Sequence, residues 1–272
     1  MKKCTVIGGG GFIGSSLVKY LEGRSYIVTI LNRNDPISQE LNMGNVFYCA
    51  GLTADFLKRP IETIDAHVTL LNHILAKCKF DSLTYLSSTR VYTNSLDTDE
   101  NAMLLINPND RSYLYNISKL AGESICLHSG RLNTRVVRLS NVVGLDPLSN
   151  NFFSEIVKEA IAGKIVLRSS INSSKDYILL SDVLKLLELI AFNGKYSLYN
   201  VASGVNLTHG DWCEVLVNIT GCDLELNNSS IEYKFREILI DRIHKEFHFT
   251  PLPVLDSVPL LVQSFINTLD IK

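Results

Sequence analysis

With 272 residues, 46 % of them hydrophobic and 20 % charged, the chain has the apolar content for a sizeable core and is not a disordered polymer. A formal net charge of −2 without any basic run excludes nucleic acid or an anionic membrane surface as the default partner. Cysteines at 4, 49, 78, 126, 213 and 222 form no CxxC and no metal-ligand spacing. They read as reduced thiols of a cytoplasmic protein, and no metal site is expected.

The opening MKKCTVIGGGG is too short and too glycine-rich for a signal segment. CTVIGG reads as a strand running into a turn, FIGSSLVKYLEG as a helix with Leu17 and Leu21 on one side, and YIVTILNR and NVFYCAG as strands. PIETIDAHVTLLNHILAKC is a long helix with proline at its start. SLTYLSS is a strand, SYLYNISKLAGESICLHS a helix and TRVVRLSNVVG a strand. This alternation predicts an α/β fold, a doubly wound parallel sheet of the Rossmann type with helices on both faces.

After Gly144 the rhythm loosens. NNFFSEIVKEAIAGK and HGDWCEVLVNITG are helices, and KDYILLSDVLKLLELIAF is a strand feeding a helix. Asp182, Lys185 and Glu188 interrupt that apolar run, which makes it amphipathic and not a membrane span. YSLYNVASG is a strand with a turn, and a last helix is expected near 254–269. Residues 1–144 and 174–203 are read as a dinucleotide-binding domain, and 145–173 and 204–272 as a smaller α/β substrate lobe.

Gly8, Gly11 and Gly14 lie between the first strand and the first helix. Such a turn needs a residue free of Cβ clashes, a backbone able to approach a diphosphate, and close helix–strand packing. The helix start then offers unpaired N–H groups to the phosphates, with Phe12 and Ile13 packing underneath. The second strand ends in Asn32 and Arg33 where an acid would hold a ribose 2′-hydroxyl. An arginine there pairs with a 2′-phosphate, which favours NADP over NAD.

Tyr115 and Lys119 are four apart in a helix and share a face, whereas Tyr113 has Ile117 at that spacing. A phenol is a poor acid–base group at neutral pH unless a nearby cation favours phenolate. Lys119 supplies that cation and can also hydrogen-bond a nicotinamide ribose. A third hydroxyl to hold the reacting oxygen is available among Ser87, Ser88 and Thr89, at the strand's C-terminal end where ligands bind. Arg90 is open either to a phosphate or carboxylate of substrate or to a surface ion pair. His67 is read as a helix-face or packing residue, Asp176 and Asp182 as braces of the returning helix, and Trp212 as core.

Together these segments resemble the extended short-chain dehydrogenases/reductases of the NAD-dependent epimerase/dehydratase, nucleotide-sugar type. GGGGFIG resembles the cofactor turn, LSSTRVY the Ser/Thr strand and YNISK the Tyr-Lys motif, while VRLSNVVG, KDYILLSDV and YNVASG resemble later motifs. The resemblance implies Ser88, Tyr115 and Lys119 as catalytic residues. It implies a cofactor site of Gly8, Gly11, Phe12, Ile13, Gly14, Asn32, Arg33, Ala50, Gly51, Tyr115 and Lys119. It places Ser88, Thr89, Arg90 and Asn141 at a nucleotide-sugar substrate reacting at C4, and it implies a homodimer through the helices at 60–79 and 112–129.

The chain also departs from that pattern. Only about a dozen residues separate Arg33 from Val46, where the family usually has a further strand and helix. His67 stands where asparagine is common, Thr93 replaces a glycine, and Lys175-Asp176 replaces Arg-Asp. Thr89 and Arg90 occupy the places of the Asp-Glu pair that 4,6-dehydratases use to eliminate water. Arg90 and Asp146 stand near the cysteine and histidine places of the reductases that also epimerise C3 and C5. Plain hydride transfer remains. A 4-keto reductase is favoured over a 4-epimerase with tightly held NAD, because a shortened adenosine side and Arg33 suit an exchanging coenzyme. A non-catalytic dinucleotide sensor is the alternative of another class.

Overall fold

The computed structural model describes residues 1–32, 35–37, 42–146, 149, 151–227 and 231–270. It divides into two compact units, one of residues 1–139, 183–201 and 241–249, the other of 140–182, 202–240 and 250–272. The join therefore falls before the expected boundary at 144, residues 174–182 and 202–203 group with the second unit, and 241–249 with the first.

The first unit opens with β1 (Lys3–Ile7), α1 (Phe12–Glu22), β2 (Ile27–Leu31) and β3 (Asn45–Tyr48). It continues with α2 (Pro60–Ile64), α3 (Leu70–Lys77), β4 (Ser82–Ser88), α4 (Leu114–His128) and β5 (Thr134–Leu139). In the second unit lie β6 (Asn141–Val143), α5 (Phe152–Ile161), β7 (Lys164–Leu167) and β8 (Ser174–Leu179). Helix α6 (Leu180–Asn193) returns the chain to the first unit and to β9 (Leu198–Val201). The remaining elements are β10 (Asn206–Thr208), α7 (His209–Thr220), β11 (Asp223–Leu226), α8 (Asp241–Phe247) and α9 (Val258–Asp270).

The first unit is a parallel sheet of order β2-β1-β3-β4-β5-β9. The chain steps outward from β1 to β2, then crosses to the other side of β1, which creates a switch point between β1 and β3. Among the described residues no strand lies beyond β2, and Ile27 and Ile30 on it are 51 % and 44 % exposed. The dozen-residue connection seen in the sequence thus leaves β2 as an edge. Strand β4 is buried on both faces, as a central parallel strand is. Its core joins Ile7, Val46, Tyr48, Leu71, Ile74, Leu83, Tyr85 and Val136. Glu188 on α6 accepts from Tyr20 of α1 and from Tyr26, at 2.8 Å each, and so ties these helices together.

The second unit has two small sheets, β10-β8-β6 and β11-β7, around a separate core that includes Trp212, Phe153, Tyr177 and Phe265. Trp212 is fully buried there, as expected. TRVVRLSNVVG is not one strand: it breaks at Ser140 into β5 and β6, which pair in different sheets. The helix expected from Pro60 is continuous but contains a π turn over Asp65–Thr69. Asp182, in the first turn of α6, braces that returning helix as expected, whereas Asp176 braces the turn after β9. Asp176 accepts from the Ser203 and Gly204 amides at 2.9 and 2.7 Å, and Asp182 from the Leu252 amide at 2.7 Å. All six cysteines are free thiols. No helix among the described residues is long and apolar enough to cross a membrane.

Candidate active site

The glycine turn sits at the C-terminal end of β1. Gly8 has φ of 82°, a left-handed conformation, and a Cβ on it would lie 2.8 Å from the Ala50 amide nitrogen. A Cβ on Gly14 would collide with the Gly8 carbonyl. The turn is therefore closed by backbone packed against the loop after β3, and only glycine fits. Gly11 caps α1 with no side-chain bond and no acid in the first turn, so the helix start keeps N–H groups for an anion. Phe12 and Ile13 are half-buried residues of the first turn of α1. Asn32 lies beside Gly10, 3.4 Å from where a Cβ would be, and its amide donates to Asp35 at 2.7 Å. Arg33, on which the NADP preference rests, lies outside the described residues.

At the end of β4 the three hydroxyl candidates separate. Ser87 is buried and donates to Glu123 of α4 at 2.6 Å. Ser88 is the half-exposed last residue, accepts the Arg90 amide at 3.2 Å, and lies near enough to the Tyr115 hydroxyl to lower its pKa. Thr89 begins the short 3-10 turn that carries Arg90. Tyr113 is buried with its hydroxyl accepting from Asn94 at 2.7 Å.

Lys119 is buried beneath them and donates to the Leu86 carbonyl at 2.9 Å. Desolvation brings its pKa down from 10.5 to about 7, opposed by Cys49 and Glu123. Burial raises the Tyr115 pKa, while the Ser88 hydrogen bond and the Arg90 charge pull it down. The expectation that Lys119 lowers the phenol therefore needs correcting: its Nζ stands 5.9 Å from the Tyr115 ring centre, and Arg90 is the cation that acts.

Because the folded-state pKa of Lys119 is depressed, the unfolded chain binds the extra proton between about pH 7 and 10.5. Stability then rises with pH through that window, by up to about 1.4 kcal/mol per pH unit. Buried thiols, whose pKa values are raised, act in the opposite sense above their usual range. The difference between the parent and Lys119→Met isolates the lysine. Urea unfolding across this window is expected to show a rising difference that a normally titrating Lys119 would flatten.

His67, expected as a helix-face or packing residue, is fully buried in the π turn with both ring nitrogens engaged. Its Nε2 accepts the Leu52 amide at 3.2 Å, so Nδ1 carries the proton and donates to Ser118 at 2.8 Å. Ser118 passes its own proton to the Tyr115 carbonyl at 2.8 Å. Burial, with Lys119 nearby, lowers the imidazole pKa to about 2, which keeps it neutral. Carbonyls in the π turn accept from Tyr48 and Tyr85, at 2.6 and 3.2 Å. A Cβ on Gly51 would stand 3.0 Å from His67 Nε2 and 3.3 Å from Lys119 Nζ, so that glycine closes the loop onto both. Ala50 and Gly51, both expected at the cofactor, are thereby clamped to the helix bearing Tyr115 and Lys119.

Sequence reasoning missed Phe56, Ser118 and Asn116. Phe56, an isolated aromatic in a polar loop, is 5 % exposed and packs on Tyr115 at 5.5 Å between ring centres. Asn116 donates to the Arg90 carbonyl at 2.9 Å. Asn141 lies in the second unit, where it donates to the Asp176 carbonyl at 2.8 Å.

The sequence pattern of the NAD dependent epimerase/dehydratase family matches residues 4–202. The chain belongs to that family. A curated relative, a dTDP-D-glucose 4,6-dehydratase of Dictyostelium discoideum, is 21 % identical over 81 % of this chain. The chain spans 62 % of that protein's length. Among solved structures, MoeE5 in complex with UDP-glucose and NAD aligns with a TM-score of 0.82 at 18 % identity, covering 98 % of this chain and 99 % of its own. RMD from Pseudomonas aeruginosa complexed with NADPH aligns at 0.80 with 21 % identity, covering 97 % and 98 %. At such identities the structures share the fold with this epimerase/dehydratase family member.

Proposed function

We propose that the chain is an NAD(P)-dependent oxidoreductase acting at C4 of a nucleotide sugar, with 4-keto reduction as its direction. The observation that carries this reading is the Tyr115 hydroxyl near Ser88, with a buried Lys119 on the same helix face, beside the Gly51 loop at the switch point. The site fits a dinucleotide: Gly8 and Gly14 hold a tight turn that no Cβ fits, and it leads into a helix start without a side-chain cap or an acid. Gly8, Gly11, Phe12, Ile13 and Gly14 would hold the diphosphate, Asn32 and Arg33 the adenosine side, and Ala50, Gly51, Tyr115 and Lys119 the nicotinamide side. When bound, the reduced nicotinamide supplies a hydride to a carbonyl carbon.

The protein's own groups do the rest. Tyr115, whose pKa burial raises, is protonated at neutral pH and donates its proton to the carbonyl oxygen. Ser88 orients that oxygen. Lys119, donating to the Leu86 carbonyl, has further N–H bonds for a ribose hydroxyl. A phenol resting as the acid suits reduction, whereas the first step of an epimerase needs it as the base. The edge position of β2 supports an adenosine side from which coenzyme exchanges. The names of the family and its relatives support the sugar-nucleotide class. Exposed Ile61 and Leu127, with half-buried Ile64, Val68, Ile117 and Leu120, support the same helices as a homodimer seam. Free thiols suit a cytoplasmic setting.

The test is thermal shift with NAD, NADP, and UDP- and dTDP-sugars, followed by turnover with the ligands that bind. A coenzyme at about a hundred times its Kd stabilises by about 2.7 kcal/mol. Stoichiometric consumption of NADPH with a 4-keto sugar is the expected result. NAD that co-purifies and survives turnover identifies the epimerase, and coenzyme binding with no turnover of any sugar identifies the sensor.

A further inference from the structure

The proposed chemistry at Tyr115 leaves the kind of sugar open, and a cation beside that tyrosine addresses it. Arg90 stands two residues after Ser88. Its guanidinium carbon lies 5.0 Å from the Phe56 ring centre and 5.5 Å from that of Tyr115. One terminal nitrogen donates to the Ser112 carbonyl at 3.3 Å. The backbone that carries it is fixed: its amide donates to Ser88, and its carbonyl accepts from Asn116 and from Thr93 at 2.9 and 2.6 Å. No carboxylate among the described residues pairs with Arg90, whereas Arg24, Arg59, Arg138, Arg168 and Arg242 each have one.

A guanidinium lying against aromatic rings is held by their π faces and keeps N–H groups along its edge for a planar anion. Exposed and without a counter-charge, Arg90 is open to a ligand that brings one. Its position narrows which ligand group that is. Ser88 and Tyr115 fix the reacting oxygen, so a neighbouring cation meets substituents on the carbons flanking the reacting one. In a pyranose reacting at C4, the diphosphate departs from C1, across the ring, and is not such a substituent.

Resting on the proposed C4 chemistry, we propose that Arg90 selects an acidic nucleotide sugar by pairing with a carboxylate on a carbon next to the reacting carbon, as in a hexuronate. The aromatic wall of Phe56 and Tyr115 sets the plane of the fork, and the Ser112 carbonyl sets its rotation.

UDP-glucuronate and UDP-glucose differ only in oxidation at C6 and form a matched pair of probes. Their affinities for the full chain with NADP or NAD bound, measured by calorimetry, are expected to favour the glucuronate by about thirtyfold. Arg90→Gln is expected to remove that preference by weakening the glucuronate alone, and Arg90→Lys to keep a part of it. Equal binding of the two sugars by the parent protein, or a preference for glucose, overturns the proposal without any variant being needed. Equal weakening of both sugars in Arg90→Gln also overturns it and makes Arg90 a structural residue. If coenzyme binds and neither sugar does, the acidic-sugar assignment falls, while the nucleotide-sugar reading is decided by the dTDP-sugars of the thermal-shift panel. If glucose alone turns over, only the assignment falls.

Discussion

Replacing Tyr115 by phenylalanine is expected to lower turnover about a thousandfold while leaving coenzyme affinity within about twofold. The ring itself is structural: it packs on Phe56 at 5.5 Å and presents an edge to His67 at 5.4 Å between centres. Phenylalanine keeps both contacts. What it loses is the hydroxyl, the one group positioned by Ser88 to hand a proton to the substrate oxygen. The folding cost is about 1 kcal/mol, that of one buried hydrogen bond. Tyr113→Phe is the matched control, since its hydroxyl serves Asn94 instead. Steady-state kinetics and NADPH fluorescence titration on both variants decide the matter. Undiminished turnover in Tyr115→Phe removes the assignment, and a parallel loss of coenzyme binding converts it into a binding role.

What the sequence disclosed about this site is what local spacing dictates. The glycine turn announces itself because its stereochemical demands fall on residues within one βα turn. Tyr115 and Lys119 are visible because helical geometry puts i and i+4 on one side. The lost strand beyond β2 was legible as length alone. The choice of Ser88 over Ser87 was not, since it depends on Ser87 meeting Glu123, 36 residues away. The clamp by His67 was hidden for the same reason: Leu52 and Ser118 come to it from β3's loop and α4. The break at Ser140 left no trace in the pattern, because two buried strands in succession read as one apolar run. The role given to Lys119 also changed, because a sequence shows that a charge is near but not what burial costs it.

Loss of the Glu123–Arg138 pair is expected to be the most damaging single change to the fold. Both side chains are nearly inaccessible, at 3 % and 5 %, and meet at 2.7 Å with two further bonds from Arg138 Nε at 3.0 and 3.2 Å. Arg138 also donates to the Tyr92 hydroxyl, which donates on to Asn200, each at 2.8 Å. Arg138→Met leaves Glu123 buried with only Ser87 to serve it, and such an uncompensated charge costs about 3–5 kcal/mol. Urea unfolding should show that loss as a lower midpoint at unchanged slope. Arg138→Met combined with Glu123→Leu should recover most of it, because two apolar side chains leave no charge to desolvate. The double variant carries the sharper expectation. Glu123 stands four residues after Lys119 on α4 and holds Ser87, the neighbour of Ser88, so the pair fixes the end of β4 against the helix that bears the phenol. With stability restored and that tie absent, Ser88 and Tyr115 lose their fixed register, and turnover is expected to stay about tenfold low with coenzyme affinity intact. Full recovery of turnover in the double variant would confine the pair to stability alone.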